Sequence, residues 1–345
     1  MTEDKKSRGG GADAGGGPGK DAPDRRNPPK SAPGSPRPDA AAASVDMPGA
    51  LDAGTGTGTG IAVGKAGGVE GKTAKKLREL GLAPIKARGQ HLLVDPLFCA
   101  KAASLVLAQA PPAPDGPTVL EIGPGLGAIT RPLLDAGARV AAVEVDRGFA
   151  AELNRWPEAA AGRLLVFEQS ILDFDLAVLP RTPDLVCGNL PYNLSTPILF
   201  WFMERMSAVP AGVFMLQREM ARRLAARPGT DDYGRLTVAV SLWCEVLTLM
   251  KVPRQVFKPV PKVLSGLVCL RLKPPAPAPE TRAALGRLTR AAFLARRKTI
   301  FNNLSARYGR ERTVEVLEAL GIDPGVRAET LSPKQFLSLA GALEQ

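Results

Sequence analysis

Along the chain, short apolar runs alternate with stretches where apolar residues recur every three or four positions, and this pattern predicts most of the folded elements. Runs of the first kind, bounded by glycine, proline or asparagine, read as strands buried on both faces, and the second kind as amphipathic helices. Residues 118–123, 138–146, 163–169, 184–189 and 212–216 are predicted strands. Residues 96–109, 128–136, 149–156, 196–206 and 218–226 are predicted helices, and 75–82 a short basic one. Strands alternating with helices imply an α/β fold with a doubly wound, Rossmann-like, mostly parallel sheet. Residues 237–249 and 264–272 are expected to close the sheet with antiparallel pairing at its edge. The proline-rich break Lys273-Pro-Pro-Ala-Pro-Ala-Pro279 then ends it. Beyond the break only helical patterns remain, over 280–304, 311–320 and 332–343, so a small C-terminal all-helical domain is expected.

Before residue 73 the pattern vanishes. Residues 1–72 hold no aromatic residue and 17 of the 36 glycines, too little apolar area to offset chain entropy, so disorder is expected there. The expected division is a disordered extension over 1–72, a sheet domain over 73–273 and a helical domain over 277–345.

Charge adds a partner. The formal net charge is +11, and the first 72 residues carry ten Lys/Arg against nine Asp/Glu, so the excess belongs to the folded body. A basic body suggests a polyanion, most often nucleic acid. No run approaches about 18 uncharged apolar residues, so no membrane span or membrane partner is expected. The polar start lacks the apolar core of a secretory leader. Cys99, Cys187, Cys244 and Cys269 lie far apart, and His91 is the one histidine. That poverty argues against a Cys/His zinc site and against Ser-His or Cys-His nucleophile chemistry. A reduced, cytoplasmic, metal-free monomer is expected.

Two loops carry candidate chemistry. Glu121-Ile-Gly-Pro-Gly-Leu-Gly127 joins the first sheet strand to its helix, and Gly123, Gly125 and Gly127 let the backbone turn sharply beside a ligand. Open α/β sheets bind ligands at the carboxyl ends of their strands. Glu144 ends the second strand, 21 residues after Gly123, where a carboxylate can accept from both hydroxyls of a ribose. A dinucleotide fold prefers G-x-G-x-x-G, with a pyrophosphate at the helix start. Here the third glycine comes one residue early and a proline intervenes. E-x-G-x-G-x-G is similar to the first motif of S-adenosylmethionine methyltransferases.

The second loop is Asn189-Leu-Pro-Tyr192, after the fourth strand. The Asn189 amide oxygen and the Leu190 carbonyl can accept both hydrogens of an exocyclic amine. Pro191 fixes the turn, and Tyr192 can stack on an extruded purine, a contact worth about 1–3 kcal/mol. A neutral amine attacks a sulfonium methyl directly, so alignment replaces a general base.

These residues together resemble the KsgA (RsmA) family of small-subunit ribosomal RNA adenine N6-dimethyltransferases, over about residues 72–345. Further family-like strings are Ala87-Arg-Gly-Gln-His-Leu-Leu-Val-Asp95, Asn189-Leu-Pro-Tyr-Asn-Leu-Ser-Thr-Pro197, Phe214-Met-Leu-Gln-Arg-Glu219, Tyr233-Gly-Arg-Leu236, Phe257-Lys-Pro-Val-Pro-Lys-Val263 and Arg296-Arg-Lys-Thr-Ile300. The resemblance implies S-adenosylmethionine as methyl donor. Gly123 would line its methionine part, Glu144 its ribose, His91 and Leu93 would add contacts, and Asn189 would sit between donor and target adenine. It implies as substrate two adjacent adenosines in the hairpin near the 3′ end of small-subunit (16S) ribosomal RNA, within an immature 30S particle. Two positions depart from the family: His91 stands where asparagine is usual, and Ser170 where an aspartate binds the donor's adenine, with Asp173 and Asp175 nearby.

Three basic clusters are candidate RNA contacts: Lys72, Lys75, Lys76, Arg78, Lys86 and Arg88; Arg218, Arg222, Arg223 and Arg227; and Arg290, Arg296, Arg297 and Lys298. Two other functions fit parts of the pattern. One is a large-subunit ribosomal RNA dimethyltransferase; the other is an assembly or transcription factor that keeps the fold without turnover.

Overall fold

The computed structural model describes Glu79 and residues 91–344. The extension over 1–72 lies outside the described residues, as does the helix expected at 75–82, apart from Glu79, which is helical and exposed. The described chain opens with β1 (Leu92–Leu93) and α1 (Pro96–Leu107). Asp95 caps α1 by accepting from the Phe98 N–H at 3.0 Å, and Pro96 occupies the first turn, where its missing N–H costs nothing. Next come β2 (Thr118–Ile122), α2 (Thr130–Asp135), β3 (Arg139–Glu144), α3 (Arg147–Leu153), α4 (Pro157–Ala160), β4 (Leu164–Glu168) and β5 (Leu185–Asn189). The chain continues through α5 (Ser195–Arg205), β6 (Ala211–Gln217), α6 (Arg218–Leu224), α7 (Arg235–Trp243), β7 (Cys244–Val252), β8 (Phe257–Lys258) and β9 (Ser265–Leu272). Four helices follow: α8 (Pro279–Ala292), α9 (Ile300–Tyr308), α10 (Arg310–Ala319) and α11 (Pro333–Leu343).

Seven strands form one sheet in the order β4-β3-β2-β5-β6-β9-β7. The first five are parallel, while β9 pairs antiparallel with both β6 and β7. This is the expected doubly wound sheet with an antiparallel edge. Every residue of β2 is buried, and successive residues enter opposite layers. Val119 packs with Leu133, Val140 and Leu185 on one face; Leu120 packs with Phe202, Phe214 and Val268 on the other. A strand covered on both sides needs no polar alternation, and here Val119, Leu120 and Ile122 are apolar while buried Glu121 is satisfied by the Thr130 hydroxyl. Winding reverses between β2 and β5, and their carboxyl ends carry the glycine loop and Asn189. That switch point is where an open α/β sheet leaves a crevice.

Two expectations need correction. Residues 237–249 do not form one strand, because 235–243 are helical as α7 and the strand starts at Cys244. Val238 enters the core of the C-terminal helices whereas Val240 enters the sheet core. Residues two apart share a face in a strand but lie on opposite sides of a helix, so only a helix serves both cores. Nor is 280–304 one helix: α8 ends at Ala292 and α9 begins at Ile300. The buried Asn303 amide bridges the break, donating to the Ala292 and Ala295 carbonyls at 2.8 and 3.0 Å. Thr299 caps α9 through the Asn302 N–H at 3.2 Å.

The helices α8–α11 enclose their own core around Leu288, Leu304, Leu317 and Phe336, joined by Tyr233 and Val238 from the sheet side. The Tyr233 hydroxyl donates to the Leu331 carbonyl at 2.8 Å. One pairing was not expected: β1 and β8 form a two-stranded antiparallel ribbon, Leu92 opposite Lys258 and Leu93 opposite Phe257.

Candidate active site at the carboxyl ends of the parallel strands

Gly123 follows β2 with φ +66°, and Gly125 and Gly127 also adopt positive φ, at +58° and +78°. A side chain is strained there, so the loop requires glycine. The three have different surroundings. A Cβ on Gly123 would meet nothing within 4 Å, whereas one on Gly125 would touch the Leu92 side chain at 3.0 Å. On Gly127 it would collide with the Trp156 ring at 2.3 Å. Gly127 therefore belongs to packing against Trp156, and the first two glycines belong to the cleft.

That cleft holds about 280 Å³. Gly123, Gly125, Glu144, Asn189, Pro191 and Tyr192 line it, together with His91 and Leu190, so eight residues expected from sequence converge there. Three do not. Leu93 points into the sheet core, and its neighbour Leu92 lines the cleft instead. Ser170 caps the turn Ile171–Asp173, its hydroxyl oxygen accepting from the Leu172 N–H at 3.2 Å, and stands outside the lining, as does Gly127. Asp173 is exposed, and Asp175 caps the next turn through the Ala177 N–H. Sequence reasoning missed Val145, Phe149, Asn193 and Leu194 on the lining. Phe149 is buried against Leu92 and Leu126, an apolar floor whose residues come from three separate segments.

Glu144 is 4% exposed, and both its oxygens are oriented by backbone. Oε2 accepts from the Gly125 N–H at 2.9 Å and Oε1 from the Asp146 N–H at 2.8 Å. Burial holds its carboxyl above the ordinary range, opposed by those two donors. Each oxygen keeps a second lone pair for a hydroxyl. Glu121 lies behind the loop, wholly buried, and accepts from the Thr130 hydroxyl at 2.6 Å. Burial pushes its carboxyl up to about 7; the Thr130 bond opposes the rise and the Glu144 charge adds to it.

On the facing side, the Asn189 side-chain nitrogen donates to the His91 carbonyl at 2.9 Å. His91 Nδ1 lies 2.7 Å from the Pro259 carbonyl, and the His91 and Tyr192 ring centroids are 5.4 Å apart with planes at 33°. The Tyr192 hydroxyl meets the hydroxyl of buried Ser265 at 3.1 Å. The Pro191 carbonyl accepts from the Ser195 hydroxyl at 3.0 Å, tying the loop to the start of α5. His91 is thus a half-buried, hydrogen-bonded residue on the rim.

The residues fit S-adenosylmethionine. A carboxylate with spare acceptor capacity can take a ribose, two positive-φ glycines open a path for a flexible tail, and Leu92, Val145 and Phe149 offer apolar contact. Opposite them, the Asn189 amide oxygen and the Tyr192 ring suit a planar amine.

The basic clusters are partly described. Arg218, Arg222, Arg223 and Arg227 are exposed, with Arg222 paired to Asp232 at 2.6 Å and Arg223 to Glu219 at 2.7 Å. In the tail, Arg296 bonds the Asp231 carbonyl and the Glu329 carboxylate, whereas Arg290, Arg297 and Lys298 are exposed. The first cluster lies outside the described residues. Among the described residues, no helix is long and apolar enough to cross a membrane.

Residues 86–345 match the family model described as ribosomal RNA adenine dimethylase. The ribosomal RNA small subunit methyltransferase A of Erwinia tasmaniensis is 42% identical over 233 residues, covering 66% of this chain and 83% of that protein. Its counterpart in Rhodospirillum rubrum is 42% identical over 269 residues, 76% of this chain and 89% of its own. Among solved structures, a dimethyladenosine transferase from Plasmodium falciparum aligns with a TM-score of 0.59 and 27% identity, over 72% of this chain and 96% of that one. The 23S rRNA methyltransferase ErmE aligns at 0.54 and 28%, over 74% and 100%.

Proposed function

The chain belongs to the ribosomal RNA adenine dimethylase family and is an S-adenosylmethionine-dependent ribosomal RNA adenine methyltransferase, and from that premise we propose how its cleft works and on which RNA. The substrate is small-subunit (16S) ribosomal RNA in an immature 30S particle, at the two adjacent adenosines of its 3′-terminal hairpin, modified at N6. The enzyme acts as a cytoplasmic monomer, and residues 277–345 form a helical domain on the RNA side. Curated relatives named for the small subunit, 42% identical over most of the chain, support this choice over the large subunit.

Gly123, Gly125 and Glu144 hold the donor, and Leu92, Val145 and Phe149 seat its apolar parts. Bound S-adenosylmethionine supplies an electrophilic methyl group. Asn189 carries the reading: because its nitrogen is spent on the His91 carbonyl, its oxygen is the atom left for the adenine amine. With the Leu190 carbonyl it accepts both N6 hydrogens and leaves the nitrogen lone pair directed into the cleft. As N6 gains positive charge, both acceptors strengthen, so the site favours the transition state over the ground state. Tyr192 stacks on the extruded base, replacing the contacts it loses on leaving the RNA. Proximity and alignment supply the rate, and the proton leaves after transfer.

The test is methylation of isolated unmodified small and large subunits with labelled donor, followed by mass spectrometry of the nucleosides. Label on small subunits as N6,N6-dimethyladenosine is expected. Label confined to large subunits would overturn the choice of substrate, and none on either would return the chain to the non-enzymatic reading.

A further inference from the structure

Beside the active cleft, one strand further along the sheet, lies a second slot of about 460 Å³, within the range of ligand pockets. Arg218, Glu219, Arg222 and Asp232 line it together with Val263 and Leu264. Neighbouring residues connect the two cavities: Ser265 holds the Tyr192 hydroxyl of the cleft, and the preceding residue, Leu264, lines the slot. The Leu264 carbonyl accepts from the Arg218 N–H at 2.9 Å, tying two of the lining residues together. Val263 and Leu264 are 44% and 40% exposed, and Val260 on the same loop 52%, an apolar edge uncovered among the described residues. Its charges are nearly spent on each other. Asp232 is held by Arg222 and Glu219 by Arg223, which leaves Arg218 as the excess positive charge among the described lining residues.

Extruding a base from RNA also strips its neighbour of a stacking partner, so the neighbouring base exposes an apolar face while its phosphate stays charged. An uncovered apolar edge beside a single surplus cation matches that pair of groups. We propose that this slot seats the nucleotide adjacent to the target adenosine, its base against Val263 and Leu264 and its phosphate at Arg218. The proposal rests on the adenine entering the cleft at Asn189, and it adds a second recognition point that selects which strand direction and which neighbour are accepted.

The test uses the full-length protein and small subunits reconstituted with ribosomal RNA carrying an abasic residue on one or the other side of the target. With the wild type, one of the two abasic substrates is expected to lose about tenfold in kcat/KM, equivalent to ~1.4 kcal/mol. The double variant Val263→Ser, Leu264→Ser is expected to lose the same factor on intact RNA, with no further loss on that abasic RNA, and with unchanged donor affinity and thermal midpoint. Arg218→Ala is expected to raise KM for the particle with little change in kcat. Losses that multiply between the variant and the abasic substrate, or full activity in both, overturn the slot. The cleft reading fails separately: it falls if Asn189→Ala still methylates intact RNA.

Discussion

The Asn189 side-chain nitrogen donates to the His91 carbonyl across 2.9 Å, and this contact decides which way the amide faces. A residue on β5 is thereby oriented by one that precedes β1. Asn189→Ala is expected to cut methyl transfer at least ~100-fold, the scale for losing a transition-state acceptor, while RNA binding barely changes. Asn189→Asp is expected to be nearly as poor, since a carboxylate cannot donate to the carbonyl. Parallel assays of methyl incorporation and filter binding check both.

Glu144 should make donor binding pH-dependent. Its ionised form accepts from ribose hydroxyls, and burial raises its protonation range. Affinity is therefore expected to fall on acidification, beginning at a higher pH than for a free glutamate. Glu144→Gln sets an amide nitrogen against the Gly125 or Asp146 N–H and is expected to weaken donor binding about tenfold or more, with a flat profile. Titration calorimetry over a series of buffers from acidic to neutral reads both.

The Tyr192–Ser265 hydroxyl pair is expected to behave as one unit. Removing either partner, by Tyr192→Phe or Ser265→Ala, should raise KM for the particle about fivefold, the size of one neutral hydrogen bond. The double variant should be no worse than either single one. Independent, multiplying losses would show that Ser265 acts only in packing β9.

Glu121 bears on stability. Its folded value of about 7 lies above the unfolded 4.5, so between these the folded state binds more protons and stability falls as pH rises. Above that window the loss is complete. Glu121→Gln keeps an acceptor for Thr130 without the charge. It should match the wild type in acid and exceed it by up to ~3 kcal/mol at alkaline pH in urea denaturation.

Much of this was legible in the sequence because strands buried on both faces leave long apolar runs, and turns with positive φ demand glycine. All five parallel strands sit within a residue or two of the predicted spans. What escaped depended on partners distant in the chain. Trp156 claims Gly127 for packing, a contact no local pattern announces. The pairing of Leu93 with Phe257 turns Leu93 into the sheet core and Leu92 to the cleft, and period-two logic cannot choose the face until the partner strand is known. Residues 237–243 carry strand-like β-branched composition, yet the demand of two separate cores overrode it. The Phe293–Thr299 break had no glycine or proline to mark it, only Asn303 eleven residues after Ala292.

The β1–β8 ribbon has a consequence for how the enzyme comes into being. Its two halves are separated by more than a hundred and fifty residues of chain, and His91 meets Pro259 across the same gap. As synthesis proceeds from the amino end, all five parallel strands precede the segment that supports the rim carrying His91. A nascent polypeptide thus possesses its glycine loop long before it possesses a closed binding site. The rim at His91 gains its β8 and Pro259 partners only once the chain has been extended past residue 259.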